Sequence, residues 1–246
     1  MSRLNDPVSA ERVAALVAPV IDRLRHAMVT AIRVRGGELA RAFGIEERAA
    51  MTMGMLRNAL PRRTVTRAEL YAVLHYLPRA QVDAGVAEAV AAGLLVDDGV
   101  LGATARGREC LDRFYAIGSD VVTDLWSGHE ARVESLLALT SRLLDVASET
   151  GGPAFAVMAP PYEPAGATPA MRLAELLTPL RFHRFDAHIW AWEAEGLTVE
   201  EVQSLGAGPV RDRIEAETNR LAAAPYAALD PAERLELLGG LGALPN

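Results

Sequence analysis

The amino-acid sequence predicts a mainly α-helical protein in which two related units follow one another in tandem and one short β-hairpin interrupts the helices. Three observations support this fold class. One pattern of residues occurs twice, helix-capping signals recur along the chain, and a single segment has two apolar runs around a tight-turn sequence. Each of these observations assigns part of the chain to an element.

The repeated pattern occupies residues 68–94 and 174–197. Each copy contains Ala-Glu-Leu, then Leu-x-aromatic, then Asp-Ala, and finally Gly-Leu that begins ten residues after the aspartate. A deletion of three residues is enough to align the copies. Repeats of this kind usually mean that one supersecondary unit is used twice. We therefore expect Asp83 and Asp186 to share one structural role.

Apolar periodicity and capping signals place the helices of the N-terminal half. Thr66 and Glu69 form a capping box, in which the hydroxyl and the carboxylate satisfy free amide groups of the helix start. Glycine and proline mark the helix ends. The predicted segments are a first helix from Asp6-Pro7 to Gly36-Gly37, then 38–60, 66–78 and 81–92.

A β-hairpin is the strongest local signal of the chain. Residues 94–96 and 100–101 are apolar and flank Asp97-Asp98-Gly99, and Asp-Gly suits the positive φ angles of a tight turn. Thr104-x-x-Gly107 then opens a long helix. This order over residues 61–115 resembles the winged helix-turn-helix of MarR-type transcription regulators. The similarity is to a poorly characterised actinobacterial group, and it includes Arg213-Ile214-Glu215-x-x-Thr218-Asn219-x-Leu221.

The C-terminal half begins after a segment that is dense in glycine and proline. We interpret residues 151–169 as a linker, which divides residues 1–150 (N-terminal helices, winged helix and a connecting helix) from residues 170–246. The second part is predicted to be a wingless helical repeat. Its predicted helices cover 173–180 and 181–195, and further capping boxes begin at Thr198 and Asp230.

Composition limits the compartment and the partners. All 25 basic residues are arginine, the formal net charge is −7 and there is one cysteine, which excludes an internal disulfide. No run of about 18 apolar residues occurs, and residues 1–7 are polar. We expect a cytoplasmic protein with no membrane contact, no cofactor and no bound metal. The negative net charge weighs against binding to nucleic acid, because affinity for DNA depends mainly on a basic protein surface.

The resemblance implies that the helix over 81–92 lies in the major groove of DNA and that the hairpin contacts the backbone. Its wing tip would carry Asp97 and Asp98, whose negative charges would repel the DNA phosphates. Arginine and glutamine supply the donors and the charge that DNA contacts need. The candidate DNA-contacting residues are Arg62, Arg63, Arg67, Arg79 and Gln81.

A second candidate site lies in residues 183–192, which contain two of the five histidines and two of the three tryptophans. His183, Asp186 and Trp190 share one helix face, so we expect Asp186 to accept a hydrogen bond from His183 and to raise its pKa. A buried structural pair is the alternative. The candidate ligand-binding residues are Tyr162, Phe182, His183, Asp186 and Trp190.

Two functions follow as expectations. The first is a small-molecule-responsive, winged-helix transcription regulator that binds duplex DNA as a homodimer. The second is a helical protein that does not bind DNA and that binds or transforms a small molecule at the aromatic and histidine-rich segment, which resembles the histidine-bearing helix of DinB-like proteins. We do not expect catalysis in the first case. In the second, His183 and Asp186 would be the acid–base pair.

Overall fold

The computed structural model describes residues 8–246, and this part of the chain is mainly helical with one two-stranded antiparallel hairpin. The predicted class, mainly α with a short hairpin, is confirmed. The elements are α1 (Ala10–Ala42), α2 (Glu47–Leu56), α3 (Arg67–Val73), α4 (Arg79–Ala91), β1 (Leu95–Asp97), β2 (Leu101–Ala103), α5 (Ala105–Leu125), α6 (Glu130–Thr150), α7 (Pro153–Met158), α8 (Pro169–Ala194), α9 (Val199–Ser204), α10 (Pro209–Leu221) and α11 (Pro231–Gly242). None of the helices in these residues is long and apolar enough to cross a bilayer.

Helix α1 is longer than the sequence predicts. It continues through Gly36-Gly37, so the predicted break there is wrong, and the chain turns instead at Gly44 with φ +64°. Gly36 is buried against the ring of Phe114, which a Cβ atom at that position would approach to 3.2 Å. The glycine therefore allows close packing of α1 on α5. The predicted start at Asp6-Pro7 lies outside the described residues, and Ser9 caps the helix.

We call α2, α3, α4, the hairpin and the first turns of α5 the helix–hairpin unit. Val65 lies beside the hairpin and exchanges two backbone hydrogen bonds with Leu101, at 2.9 and 2.7 Å. The capping box of Thr66 and Glu69 forms as predicted. Helix α4 packs closely on α2, since a Cβ atom at Gly85 would lie 2.5 Å from the hydroxyl of Thr52.

Helix α8 is the centre of the molecule, and most of its residues are buried. It contacts α1, α5, α6, α7 and α10. The two helices predicted over 173–180 and 181–195 form this single helix, whereas the equivalent stretch of the first copy contains a turn between α3 and α4. The copies agree at their ends, where Gly93 and Gly196 have φ of +69° and +76° and terminate their helices.

The segment over 151–169 contains a helix of its own. Helix α7 packs against α3 and α8. Its residues Ala154, Val157 and Met158 are buried in the same apolar cluster as the core of the helix–hairpin unit. Phe182 of α8 belongs to this cluster too. Contacts made by α7 and α8 therefore complete the core of the helix–hairpin unit.

A polar contact inside the molecule joins three helices. Arg57, which follows α2, donates to both oxygens of the Glu175 carboxylate on α8, each at 3.1 Å from Nη2. Arg25 of α1 donates to the hydroxyl of Thr178 at 2.6 Å, one turn further along α8. Glu175 and Thr178 are both buried. The contact fixes how α1 and the end of α2 meet α8.

Replacing Glu175 with glutamine tests how strongly the fold depends on this contact. The change removes the carboxylate that pairs with Arg57 and attracts the nearby Arg25. We expect the free energy of unfolding to fall by about 3 kcal/mol, since removal of one partner of a buried ion pair is strongly destabilising. Urea denaturation measures the change. Glu163→Gln is the matched control: Glu163 pairs with Arg172 on the surface, and its loss should cost less than about 1 kcal/mol. Equal small losses in both variants would contradict the prediction.

Candidate functional site

The predicted DNA-contacting residues lie just before α3, in α3 and in the first turn of α4. Arg79 and Gln81 occupy the first turn of α4, and both are exposed. The guanidinium of Arg79 stacks on the ring of Tyr71 at 5.2 Å. Arg62 donates to the carbonyl of Asn58 at 2.9 Å. Tyr71 also donates to Asp83, which pairs with Arg67, so Arg67 and Arg79 lie close to one another.

Two of the predicted DNA-contacting arginines, Arg63 and Arg67, are paired with carboxylates. Arg67 donates to Asp83 of α4 and to Asp97 of the hairpin, both at 2.6 Å. Arg63 pairs with Glu69 at 2.8 Å. Arg67 thereby connects α3, α4 and β1. These contacts are intramolecular, so a phosphate would have to compete with a carboxylate for each of the two side chains.

The exposed side of α4 offers few hydrogen-bond donors. Beyond Gln81 it presents mostly alanine, with Val90 at 39 % exposure, and Glu88 pairs with Arg48 of α2 at 2.6 Å. Sequence analysis missed Arg106 and Arg108 at the start of α5. Both donate to backbone carbonyls. Overall, positive and negative charges on this side of the unit are interleaved.

His183 and Asp186 have separate hydrogen-bond partners. The Asp186 carboxylate accepts from the amides of Ala154 at 3.1 Å and Phe155 at 2.8 Å, so it caps the N-terminus of α7. Burial raises the pKa of Asp186, and these amides partly offset the rise. His183 instead contacts the hydroxyl of Thr150, with 2.9 Å between Nε2 and Oγ1. The predicted hydrogen bond between His183 and Asp186 therefore does not form, because the Asp186 carboxylate binds the free amides of α7 instead.

The predicted rise in the pKa of His183 is wrong. Burial lowers the pKa of this histidine to about 4. The side chain is therefore neutral near pH 7. The expectation of a shared role for the two aspartates also fails, because Asp83 is an exposed partner of Arg67 whereas Asp186 is a buried helix cap.

The other candidate ligand-binding residues are dispersed. Phe182 is buried and packs against Phe185, with 5.4 Å between ring centroids. Trp190 lies over Gly152, where a Cβ atom would be 2.6 Å from the indole. Tyr162 packs on Tyr115 near the other end of α8, with 5.9 Å between centroids. The structure gathers Phe182, His183, Asp186 and Trp190 around α7 and α8 as packing and leaves Tyr162 elsewhere.

An open cavity of about 160 Å³ lies on the opposite side of α8, between α8 and α1. We call it the α1–α8 cleft. The two helices run antiparallel here, since Arg25 meets Thr178 and Asp22 meets Arg181. The lining residues are Ala18, Ile21, Asp22, Leu180, Arg181, Arg184, Phe185, His188 and Tyr226.

The polar groups of the cleft are unevenly satisfied. Arg181 donates to Asp22 at 2.6 Å. Arg184 reaches Glu215 of α10 only at 3.3 Å through Nη2, and its Nη1 is buried without a hydrogen-bond partner. A guanidinium nitrogen in this state lacks the acceptor that water or a protein group would supply.

His188 is oriented by α10. Its Nδ1 lies 3.2 Å from the hydroxyl of Thr218, which donates its own hydrogen to the carbonyl of Ile214 at 2.7 Å. The hydroxyl oxygen therefore accepts, Nδ1 carries the hydrogen, and Nε2 has a free lone pair. Burial lowers the pKa of His188, with a smaller opposite effect from Glu215. Burial also lowers the pKa of Arg184 and raises that of Tyr226 to about 12.

Helical spacing alone would have placed the cleft residues on one face. Arg181, Arg184 and His188 are three and seven residues apart, which puts them within about 60° of one another at 100° per residue. Sequence analysis concentrated on the opposite face, where His183 and Trp190 lie. The spacing alone does not show which helix packs against this face, because α1 is distant in sequence.

No protein-family model, no curated protein and no solved structure matches this chain. Within residues 8–246, the structure contains no group of three or more histidine, cysteine, aspartate or glutamate side chains arranged to hold a metal ion. The geometry of the two regions described above is therefore the basis for assigning a function.

The buried histidine predicts a pH dependence of stability. Because the pKa of His183 is about 4 in the folded protein and about 6.5 when unfolded, its contribution is fully present above pH 6.5 and is lost as pH falls towards 4. The loss should amount to about 3 kcal/mol. The measurement is the unfolding free energy of wild type and His183→Gln from pH 7.5 to 4. His188 contributes equally to both curves, so their difference isolates His183, and parallel curves would refute the prediction.

Proposed function

We propose that the protein binds a small organic molecule in the α1–α8 cleft. The observation that supports this most directly is an open cavity of about 160 Å³ whose apolar wall adjoins three nitrogen-bearing side chains of one helix face. Binding sites for small molecules combine a concave apolar surface with a few convergent polar groups. The apolar surface of the cleft is formed by Ile21, Leu180 and Phe185. Its polar groups are those of Arg181, Arg184 and His188.

The size of the cleft limits the ligand. An apolar cavity of about 150 Å³ accommodates benzene, so the cleft fits a molecule with a body of about six carbon atoms. Larger ligands would extend past Asp22 into solvent, since the cavity is open on that side and Asp22 is largely exposed. The ligand is therefore proposed to be a metabolite of about the size of a single ring.

Helix α1 provides a physical connection between the cleft and the helix–hairpin unit. Its 33 residues extend over about 50 Å. The N-terminal half lines the cleft at Ala18 and Ile21, and the C-terminal end contributes Leu39 and Phe43 to the core of the helix–hairpin unit. A ligand that shifts α1 against α8 would thus act on both ends of one rigid element, which supports a ligand-responsive protein.

Blocking the cleft tests the proposal. In Ala18→Trp the indole occupies the cavity, whereas Val34→Trp places the same side chain on the exposed end of α1 as a control, because Val34 is 80 % exposed. The probes are cyclohexanecarboxylate, cyclohexanecarboxamide, cyclohexanol and cyclohexylamine, followed by saturation-transfer NMR. At least one should bind wild type and Val34→Trp and fail to bind Ala18→Trp. Binding by none of them, or binding that survives Ala18→Trp, would overturn the proposal.

Duplex DNA binding is the second candidate function, and one arrangement favours it. Val65, which lies between α2 and α3, pairs with strand β2 of the hairpin. The order is therefore α2, the Val65 bridge, α3, α4 and the hairpin, which is the order of elements in a winged helix. Within residues 8–246, Arg62, Arg79, Arg106 and Arg108 form no salt bridge with a carboxylate, so they are the side chains most available to phosphates. The paired state of Arg63 and Arg67 and the alanine-rich side of α4 make this candidate weaker than the first.

Fluorescence anisotropy with a labelled random duplex tests the DNA candidate. A DNA-binding unit should show salt-sensitive affinity of about 10⁻⁴ to 10⁻⁶ M. Arg79→Met should then weaken binding and reduce the salt dependence by about one counterion, whereas Asp98→Asn, at the hairpin turn, should strengthen it. Absence of binding at low salt, or affinities that neither variant changes, would exclude this candidate and leave the ligand proposal in place.

A further inference from the structure

We infer that the ligand of the α1–α8 cleft carries a single carboxylate group, which Arg184 binds. The inference depends on the proposed function, and it specifies the chemistry of that site. Three observations support it: an unsatisfied guanidinium nitrogen, an excess of positive charge along the contact between α1 and α8, and a carboxylate on the cleft wall that excludes more highly charged anions.

The first observation is the incomplete pairing of Arg184. Nη1 is buried and has no hydrogen-bond partner, and Nη2 has only the 3.3 Å contact with Glu215. Glu215 is itself 45 % exposed, so water competes for its carboxylate. A buried donor without an acceptor destabilises the protein, and an anionic acceptor forms the strongest hydrogen bonds with a guanidinium. Arg184 lines the cleft, so a ligand carboxylate there would lie beside this incompletely paired guanidinium.

The second observation is the charge balance where α8 meets α1, α2 and α10. Four guanidinium groups face three carboxylates there. Arg57 pairs with Glu175, which also attracts the nearby Arg25. Arg181 pairs with Asp22, and Arg184 has only its long contact with Glu215. Apart from the pair of Arg213 with Glu195 at the end of α8, the charged groups with contacts there are Arg25, Arg57, Arg181 and Arg184 against Asp22, Glu175 and Glu215. One bound monoanion balances this set.

Neighbouring arginines add to the shortage of negative charge. Burial, together with Arg57 and Arg181, lowers the pKa of Arg25 to about 10. Arg25 lies one helical turn from Asp22 and hence from the cleft. An anion beside Arg184 would lie close to these arginines and would offset part of their mutual repulsion.

The third observation favours a carboxylate over a phosphate. Asp22 lines the cleft and is held there by Arg181 at 2.6 Å. A dianion would be repelled by this fixed carboxylate, whereas a carboxylate adds one negative charge and matches the planar fork of a guanidinium. Leu180 and Phe185 leave an apolar wall for the body of the ligand. The inferred ligand is a small carboxylic acid with a compact apolar body.

Isothermal titration calorimetry at pH 7.5 with cyclohexanecarboxylate and with cyclohexanecarboxamide tests the inference. The acid should bind at least tenfold more tightly than the amide, which has a similar shape and no charge. Arg184→Met should weaken binding of the acid at least tenfold and leave the amide unaffected. Arg172→Met is the matched control, because Arg172 lies on α8 outside the cleft and pairs with Glu163. It should leave both affinities unchanged.

Glu215→Gln supplies a test that does not depend on loss of function. The change removes the carboxylate that competes for Arg184, and it should tighten binding of the acid about threefold while the amide is unaffected. This variant decides the question if Arg184→Met fails to fold. Tight binding of the amide, blocked by Ala18→Trp, would overturn the carboxylate inference and leave the proposed function intact. Absence of binding by all the ring-sized probes would overturn both.

Discussion

The register of α1 on α8 is the constraint on which the rest of this structure depends. It is fixed where Arg57 and Arg25 converge on Glu175 and Thr178 of α8. Buried ion pairs gain little net free energy, because desolvation offsets the Coulomb attraction. They do discriminate between registers, since any other alignment leaves a guanidinium unsatisfied. One turn further along, the same register brings Asp22 to Arg181, and the next turn places the small side chain of Ala18 opposite Phe185, where the cleft opens.

A second consequence follows on the other side of α8. Because most of the helix is enclosed, a buried polar side chain on it is costly unless it finds an internal partner. Asp186 caps α7 and His183 contacts Thr150, so the most chemically varied segment of the sequence serves to attach α7 and α6 to α8. The face that meets α1 is different, because Arg184 remains partly unsatisfied there. One face of the helix thus carries internally paired polar groups, and the other carries the groups of the proposed ligand site.

Local signals predicted the elements well, and long-range contacts account for the errors. The hairpin and the capping boxes at Thr66, Thr198 and Asp230 were predictable because each depends on residues within a few positions of one another. Gly36-Gly37 misled because the packing of α1 on Phe114 overrides the low helix propensity of glycine. The partners of Asp186 and Arg184 were not predictable, since α7 and α10 approach α8 only in the folded chain. In both copies of the repeated pattern a glycine ends a helix, but only the first copy has a turn between two helices.

The distribution of arginine explains why the cleft is a better functional candidate than the helix–hairpin unit. The chain carries 25 arginines and a net charge of −7, and twelve of the arginines within residues 8–246 form salt bridges. On the helix–hairpin unit this neutralisation reaches the residues that DNA binding would need, as the pairs of Arg67 with Asp83 and Asp97 show. Along the contact between α1 and α8 it is incomplete by one charge. A single small anion corrects that imbalance, whereas a DNA backbone would need a continuous basic surface. The charge pattern therefore favours recognition of a small molecule.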